Sequence, residues 1–186
     1  MRNMKIIGAL LGVVLIGSSL AGCASINKTK VTTDTNKTME ASKTMNKGKM
    51  AAEFELKDLQ GKTVKLADYA GKKVYIKFWA SWCSICLAGL EEINTLAKDN
   101  KDFEVITIVS PGFRGEKNSE DFKKWFSGLD YKNLTVLLDE NGKIANKYEI
   151  KGYPTSVVIG KDGVSVKTLL GHSSNEKIMA EFKDVK

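Results

Sequence analysis

Val74-Tyr75-Ile76-Lys77-Phe78-Trp79-Ala80-Ser81-Trp82-Cys83-Ser84-Ile85-Cys86 is the stretch whose reading decides the fold. It opens as an apolar run of β type and ends on two cysteines three positions apart. After them, Ile85, Leu90, Ile93, Leu96 and Ala97 fall at the spacing of one helix face. The pattern predicts a strand followed by a helix, with Cys83 at or near the helix N-terminus and Cys86 one turn inside. Free backbone N–H groups and the positive end of the helix dipole stabilise a thiolate there. Cys83 is therefore expected to be reactive, exposed and low in pKa. Cys86 lies on the same face, within reach of a mixed disulfide formed on Cys83. The pair reads as a dithiol/disulfide centre. Half of a zinc site has the same spacing, but such a site needs two more ligands. The chain has three cysteines and one histidine, and Cys23 has another role. No metal is expected.

The N-terminus accounts for Cys23. Arg2 and Lys5 precede Ile6 to Gly17, a run without a polar side chain, and Leu20-Ala21-Gly22-Cys23 follows. A basic start, a short apolar core and small residues make an export signal, expected over residues 1–22, rather than a spanning helix. Leu-Ala-Gly-Cys resembles the bacterial lipobox, which implies cleavage before Cys23 and lipidation of its thiol. The alternative is an ordinary secretory signal with an incidental cysteine. Residues 23–50 are then expected to form the lipidated cysteine and a tether rich in Ser, Thr, Asn and Lys, spanning roughly 30 Å as a flexible chain. The net charge of +7 suggests nucleic acid at first sight, but the signal and tether carry all but one of those charges. No nucleic-acid partner is expected; lysines beside anionic lipid reinforce an anchor instead.

Residues 51–186 are long enough for one domain with a real core. Ala52 to Lys57 and Lys62 to Leu66 alternate around Gln60-Gly61, which predicts a hairpin. Strands are predicted at Lys73 to Trp79, Phe103 to Val109 and, in short form, Thr135 to Leu138. Helices are predicted over Ser84 to Asp99, Ser119 to Ser127 and Gly142 to Tyr148. Thr155 to Ile159 and Val164 to Leu170 flank Lys161-Asp162-Gly163, a hairpin turn. A last helix, Ser173 to Phe182, opens on Ser173 and Glu176 as a capping box. Strands alternating with helices give an α/β class with parallel pairing through right-handed crossovers. The reaction site is then expected at the carboxyl end of a central strand, where Cys83 falls.

Phe78-Trp79-Ala80-Ser81-Trp82-Cys83-Ser84-Ile85-Cys86 resembles the FWAxWCxxC signature of the thioredoxin superfamily. Gly152-Tyr153-Pro154-Thr155 is similar to its second marker. The N-terminal hairpin, Asp68-Tyr69-Ala70-Gly71-Lys72 and the insert before Thr155 resemble its membrane-anchored TlpA/ResA-like, AhpC/TSA-type branch. The resemblance implies a thioredoxin-like fold: a central mixed sheet flanked by helices, with an N-terminal β-hairpin extension. It makes Cys83 the attacking thiolate and Cys86 the resolving thiol. It implies a cis peptide between Tyr153 and Pro154 that faces the cysteines, with Tyr153 contacting the partner peptide. Trp82 is expected to border the Cys83 sulfur, and Trp79 to be core.

Three positions depart from that pattern. Lys77 stands where the family often has a buried acid. Either it approaches Cys86 and favours its thiolate, or it snorkels outward from the strand. Gly89 stands where TlpA/ResA-like proteins often carry a glutamate, which puts a cytochrome-maturation role in doubt; Glu91 and Glu92 read as a solvated face. Ser84-Ile85 between the cysteines matches neither extreme of the potential scale. His172 is expected in a turn or cap. Pro111-Gly112 and Gly115 suggest a flexible loop bordering the site.

The resemblance implies an extracytoplasmic, lipid-anchored thiol-disulfide oxidoreductase on a Gram-positive surface, needing no cofactor beyond its cysteine pair. It is expected to act as a monomeric reductant. A membrane-embedded thiol carrier would feed it, and client proteins such as methionine sulfoxide reductase would receive the electrons. The alternatives are a disulfide-forming oxidant, an apocytochrome c reductant, and a lipoprotein that holds copper(I) on its two thiolates. A peroxidase would need a further cysteine motif that is absent.

Overall fold

The computed structural model describes residues 45–186; the expected signal, Cys23 and most of the expected tether lie outside the described residues. In chain order the strands are β1 Lys49–Met50, β2 Glu55–Asp58, β3 Thr63–Lys65, β4 Val74–Phe78, β5 Glu104–Val109, β6 Thr135–Leu138, β7 Thr155–Ile159 and β8 Val164–Leu170. The helices are α1 Ser84–Ala88, α2 Leu90–Asp99, α3 Ser119–Phe126, α4 Lys143–Lys147 and α5 Asn175–Glu181, with short 3-10 turns at Leu66–Tyr69 and Glu140–Gly142.

All eight strands form one mixed sheet in the order β1-β8-β7-β4-β5-β6-β2-β3. β4, β5 and β6 run parallel, as the alternation of strand and helix requires. β7 pairs antiparallel with β4 on its other side. Every residue of β4 is buried, as befits a central strand covered on both faces. Its side chains alternate between two cores. Tyr75 and Trp79 pack with Cys86, Leu90, Ile93, Phe122 and Ile178. Ile76 and Phe78 pack with Ile106, Ile108, Val157 and Ile144 on the opposite side. Fully burying a side chain of this size contributes about 1.5–3 kcal/mol.

The sheet includes residues before the expected boundary at residue 51. β1 pairs with the start of β8. Asn46 donates its backbone N–H and side-chain amide to the Asp162 carboxylate at 2.6 and 2.9 Å, and accepts from the Lys186 N–H at 2.9 Å. Polar composition alone hides this segment, because its partners lie more than a hundred residues away.

Two helix boundaries differ from expectation. The single helix expected over residues 84–99 is two, broken at Gly89, whose ψ is 3°. A Cβ at residue 89 would sit 2.4 Å from the His172 imidazole, so the break lets that ring pack against the backbone. The last helix is capped by Ser174, whose hydroxyl accepts from the Lys177 N–H, and not by Ser173. Ser173 is buried. α3 is capped by Asn118, whose side chain accepts from the Asp121 N–H at 2.9 Å, and carries acids in its first turn and lysines in its last.

Candidate active site

Cys83 ends the loop that follows β4 and is the N-cap of α1. Its sulfur accepts from the Cys86 N–H at 3.2 Å. Cys83 and Cys86 form a disulfide with their Cα atoms 5.2 Å apart. Cys83 is 6% exposed and Cys86 wholly buried. Cys83 is thus far less open than expected, because the short turn into α1 tucks its side chain into the core with Cys86 and Leu90.

Exposed apolar side chains stand on the elements next to the pair. Trp82 and Ile85 are each about half exposed, and Leu170 more so. Leu170 lies opposite Thr155 across the β7–β8 pairing. The Trp82 and Tyr153 rings meet edge to face at 6.0 Å. The Tyr153–Pro154 peptide is cis. The Pro154 carbonyl accepts from the Gly171 N–H at 2.9 Å, which ties this loop to the end of β8. Trp79 is fully buried among Phe122, Trp125 and Phe126.

Lys77 does not snorkel: it is 1% exposed. It lies between Thr107 of β5 and Ser156 of β7, on the face of β4 that carries Tyr75 and Trp79. Cys86 and α2 pack from that same side. Burial pushes its amine down to about 8, while the Glu92 carboxylate on α2 works in the opposite direction. The neighbouring Tyr75 hydroxyl donates to Ser156 at 2.7 Å, and burial pushes it up to about 12.

Glu92 is more than a solvated face: it also lies 3.2 Å from His172 Nε2. His172 sits between β8 and α5, in the turn expected of it, with its ring against Gly89. Among the described residues, no cluster of three His, Cys, Asp or Glu side chains is placed to hold a metal ion.

The loop between β5 and α3 does border the site, since a Cβ at Gly115 would lie 3.8 Å from Trp82 Nε1. It is pinned rather than loose. Gly112 donates to the Lys117 carbonyl, Glu116 to the Phe113 carbonyl, and Asn141 to the Pro111 carbonyl. The expectation of flexibility rested on Pro and Gly content and missed these bonds. Glu116 and Ser81 were missed altogether. Glu116 is buried, and its carboxylate accepts from both the N–H and the hydroxyl of Ser81. One signal was available: Glu116 is the only acid between Ser110 and Asn118, in a loop at the same sheet end as Cys83.

Residues 47–167 match the AhpC/TSA family. The chain belongs to the AhpC/TSA family. Among curated relatives, an uncharacterised Haemophilus influenzae protein is 52% identical over 68% of this chain and 82% of its own length. The thiol-disulfide oxidoreductase ResA of Bacillus cereus is 33% identical over 72% of this chain and 75% of its own. Among solved structures, the exposed lipoprotein thioredoxin Etrx1 of Streptococcus pneumoniae superposes with a TM-score of 0.70 at 50% identity. That match covers 72% of this chain and 100% of that one. This AhpC/TSA member is a TlpA/ResA-like thiol-disulfide oxidoreductase with a thioredoxin-like fold. Its redox group is the Cys83–Cys86 disulfide, not a bound cofactor. Among the described residues, no helix is long and apolar enough to cross a membrane.

Proposed function

We propose that this protein is a lipid-anchored, extracytoplasmic reductant of client protein disulfides. The observation that carries the reading is the asymmetry of the couple: Cys86 is wholly buried, whereas Cys83 keeps a small exposed surface next in sequence to the half-exposed Trp82. Only Cys83 is offered to another protein.

The Cys83 thiolate attacks one sulfur of a client disulfide, and the client's other sulfur leaves as a thiolate. Cys86 loses its proton to the neutral fraction of the Lys77 amine, which burial enlarges as pH approaches 8. The Cys86 thiolate then attacks the Cys83 sulfur and expels the second client thiolate. Two electrons pass to the client, which becomes a dithiol once it takes up two protons, and Cys83–Cys86 becomes the disulfide. A membrane-embedded dithiol carrier resets the pair by the reverse exchange. Trp82 and Tyr153 form the apolar edge against which the client segment lies.

Leu20-Ala21-Gly22-Cys23 supports anchorage through a lipidated Cys23. The pneumococcal relative, an exposed lipoprotein thioredoxin, supports the same placement; the lysine-rich tether favours a Gram-positive type of surface. The domain works as a monomer, and methionine sulfoxide reductase is the client class put forward.

Mixing the reduced full chain with an oxidised methionine sulfoxide reductase tests this directly. The reading expects stoichiometric transfer of the disulfide, abolished by Cys83→Ser. With Cys86→Ser a trapped mixed disulfide should accumulate. No transfer to this client, with insulin still reduced, would remove the client and leave the chemistry.

A further inference from the structure

Glu116 takes no part in the exchange described above, yet it is tied to the redox loop more closely than any other acid. It is 7% exposed. One carboxylate oxygen accepts from the Ser81 N–H at 2.5 Å. The other accepts from the Ser81 hydroxyl at 2.6 Å and from the Lys117 N–H at 2.7 Å. Lys117 Nζ reaches past it to Ser81 Oγ at 2.8 Å. Among the described residues, no cation lies within ion-pair distance of this carboxylate. The carboxylate is satisfied by dipoles, and the Lys117 ammonium reaches it through the shared Ser81 hydroxyl.

That charge is held two residues before Cys83. The loop carrying it cannot drift, because Phe113 fills the space beside Gly142, where a Cβ would come within 2.3 Å of its ring. Three consequences meet at Ser81: the turn into Cys83 is tied down, Trp82 lies beside Gly115, and a carboxylate is bonded to the backbone two residues before Cys83. A like charge nearby disfavours a thiolate. Disfavouring it weakens the dithiol relative to the disulfide.

We propose that Glu116 is the positioning residue of the redox loop, and that its charge raises the Cys83 thiol and biases the couple toward its disulfide. The other charged and titratable groups around the pair are Lys77 on β4, Glu92 on α2 and His172 after β8. Arg114 and Lys117 share the loop with Glu116, and Asp139 and Tyr153 lie beyond it. The proposal rests on the thiol-disulfide chemistry and is independent of client and direction.

The rate of Cys83 alkylation by iodoacetamide, followed against pH in the reduced full chain, reads the thiol directly. Glu116→Gln should lower the midpoint by about half a unit or more. It should also shift the equilibrium with dithiothreitol toward the protein dithiol. Ser81→Ala keeps the acid and its backbone bond, and should leave the midpoint in place. Lys117→Met removes the cation that offsets the acid, and should move the midpoint upward. An unmoved midpoint in Glu116→Gln or in Lys117→Met overturns the proposal. So does an equal fall in Ser81→Ala, which would make the effect a loosening of the loop. A strongly oxidising wild-type couple with these shifts intact would remove the reductant reading and leave this one standing.

Discussion

Lys77 carries the sharpest consequence at the scale of single residues. Its amine is held near 8 in the fold and returns to the ordinary value of 10.5 on unfolding. The unfolded chain therefore binds more protons between those two pH values, so stability rises with pH across that window. Below about pH 8 the buried ammonium costs on the order of 3 kcal/mol. Lys77→Met should accordingly raise the melting temperature at pH 7, and the gain should shrink steadily as pH approaches 10. Thermal unfolding at a series of pH values checks this; a gain that does not change with pH would mean the amine is not desolvated. The same variant should slow resolution of the mixed disulfide, since Cys86 loses its proton acceptor. Unchanged turnover would make Lys77 a passenger. Lysine at a core-facing position of a central strand was visible in the sequence. Which way it pointed was not, because only packing by α2 and the flanking Thr107 and Ser156 closes the route to water.

The elements were legible where a local rule decides them. β4, the helix start at Cys83 and the β7–β8 hairpin follow from apolar runs, capping and turn residues close in sequence. The break at Gly89 was not legible, because its cause is a ring 83 positions further along the chain. β1 was not legible either: Lys49 and Met50 are exposed and show no alternation, and β8 alone makes them a strand. The Gly89–His172 contact gives a prediction at this scale. Gly89→Ala should destabilise the domain by about 1–3 kcal/mol through overpacking. In the double variant with His172→Ala most of that cost should disappear, since the ring it strikes is gone. Denaturant unfolding of the four proteins of the cycle reads the coupling. Additive effects would place the strain elsewhere, in the joint between α1 and α2.

At the scale of the whole molecule, sheet order, loop placement and charge converge on one end of the fold. The loop after β4, the loop after β5, the Tyr153–Pro154 loop and the end of β8 meet around the disulfide. The segment that enters the fold from the N-terminus pairs with the start of β8, at the other end of that strand. The cysteine loop and the entering chain thus lie at opposite ends of the sheet. The family and the chemistry were readable from two short motifs, because thiol exchange needs few groups in fixed places. Direction was not readable, since it depends on the balance of Lys77, Glu92, Glu116 and the helix start around one sulfur pair. The reduction potential of Cys83–Cys86 in the full-length chain, equilibrated against dithiothreitol and glutathione, decides it. The account predicts a value near or below about −230 mV, in the range of thioredoxin and the glutaredoxins. A value of about −120 to −150 mV, near the strong-oxidant end of that scale, would contradict it and make the protein a donor of disulfides.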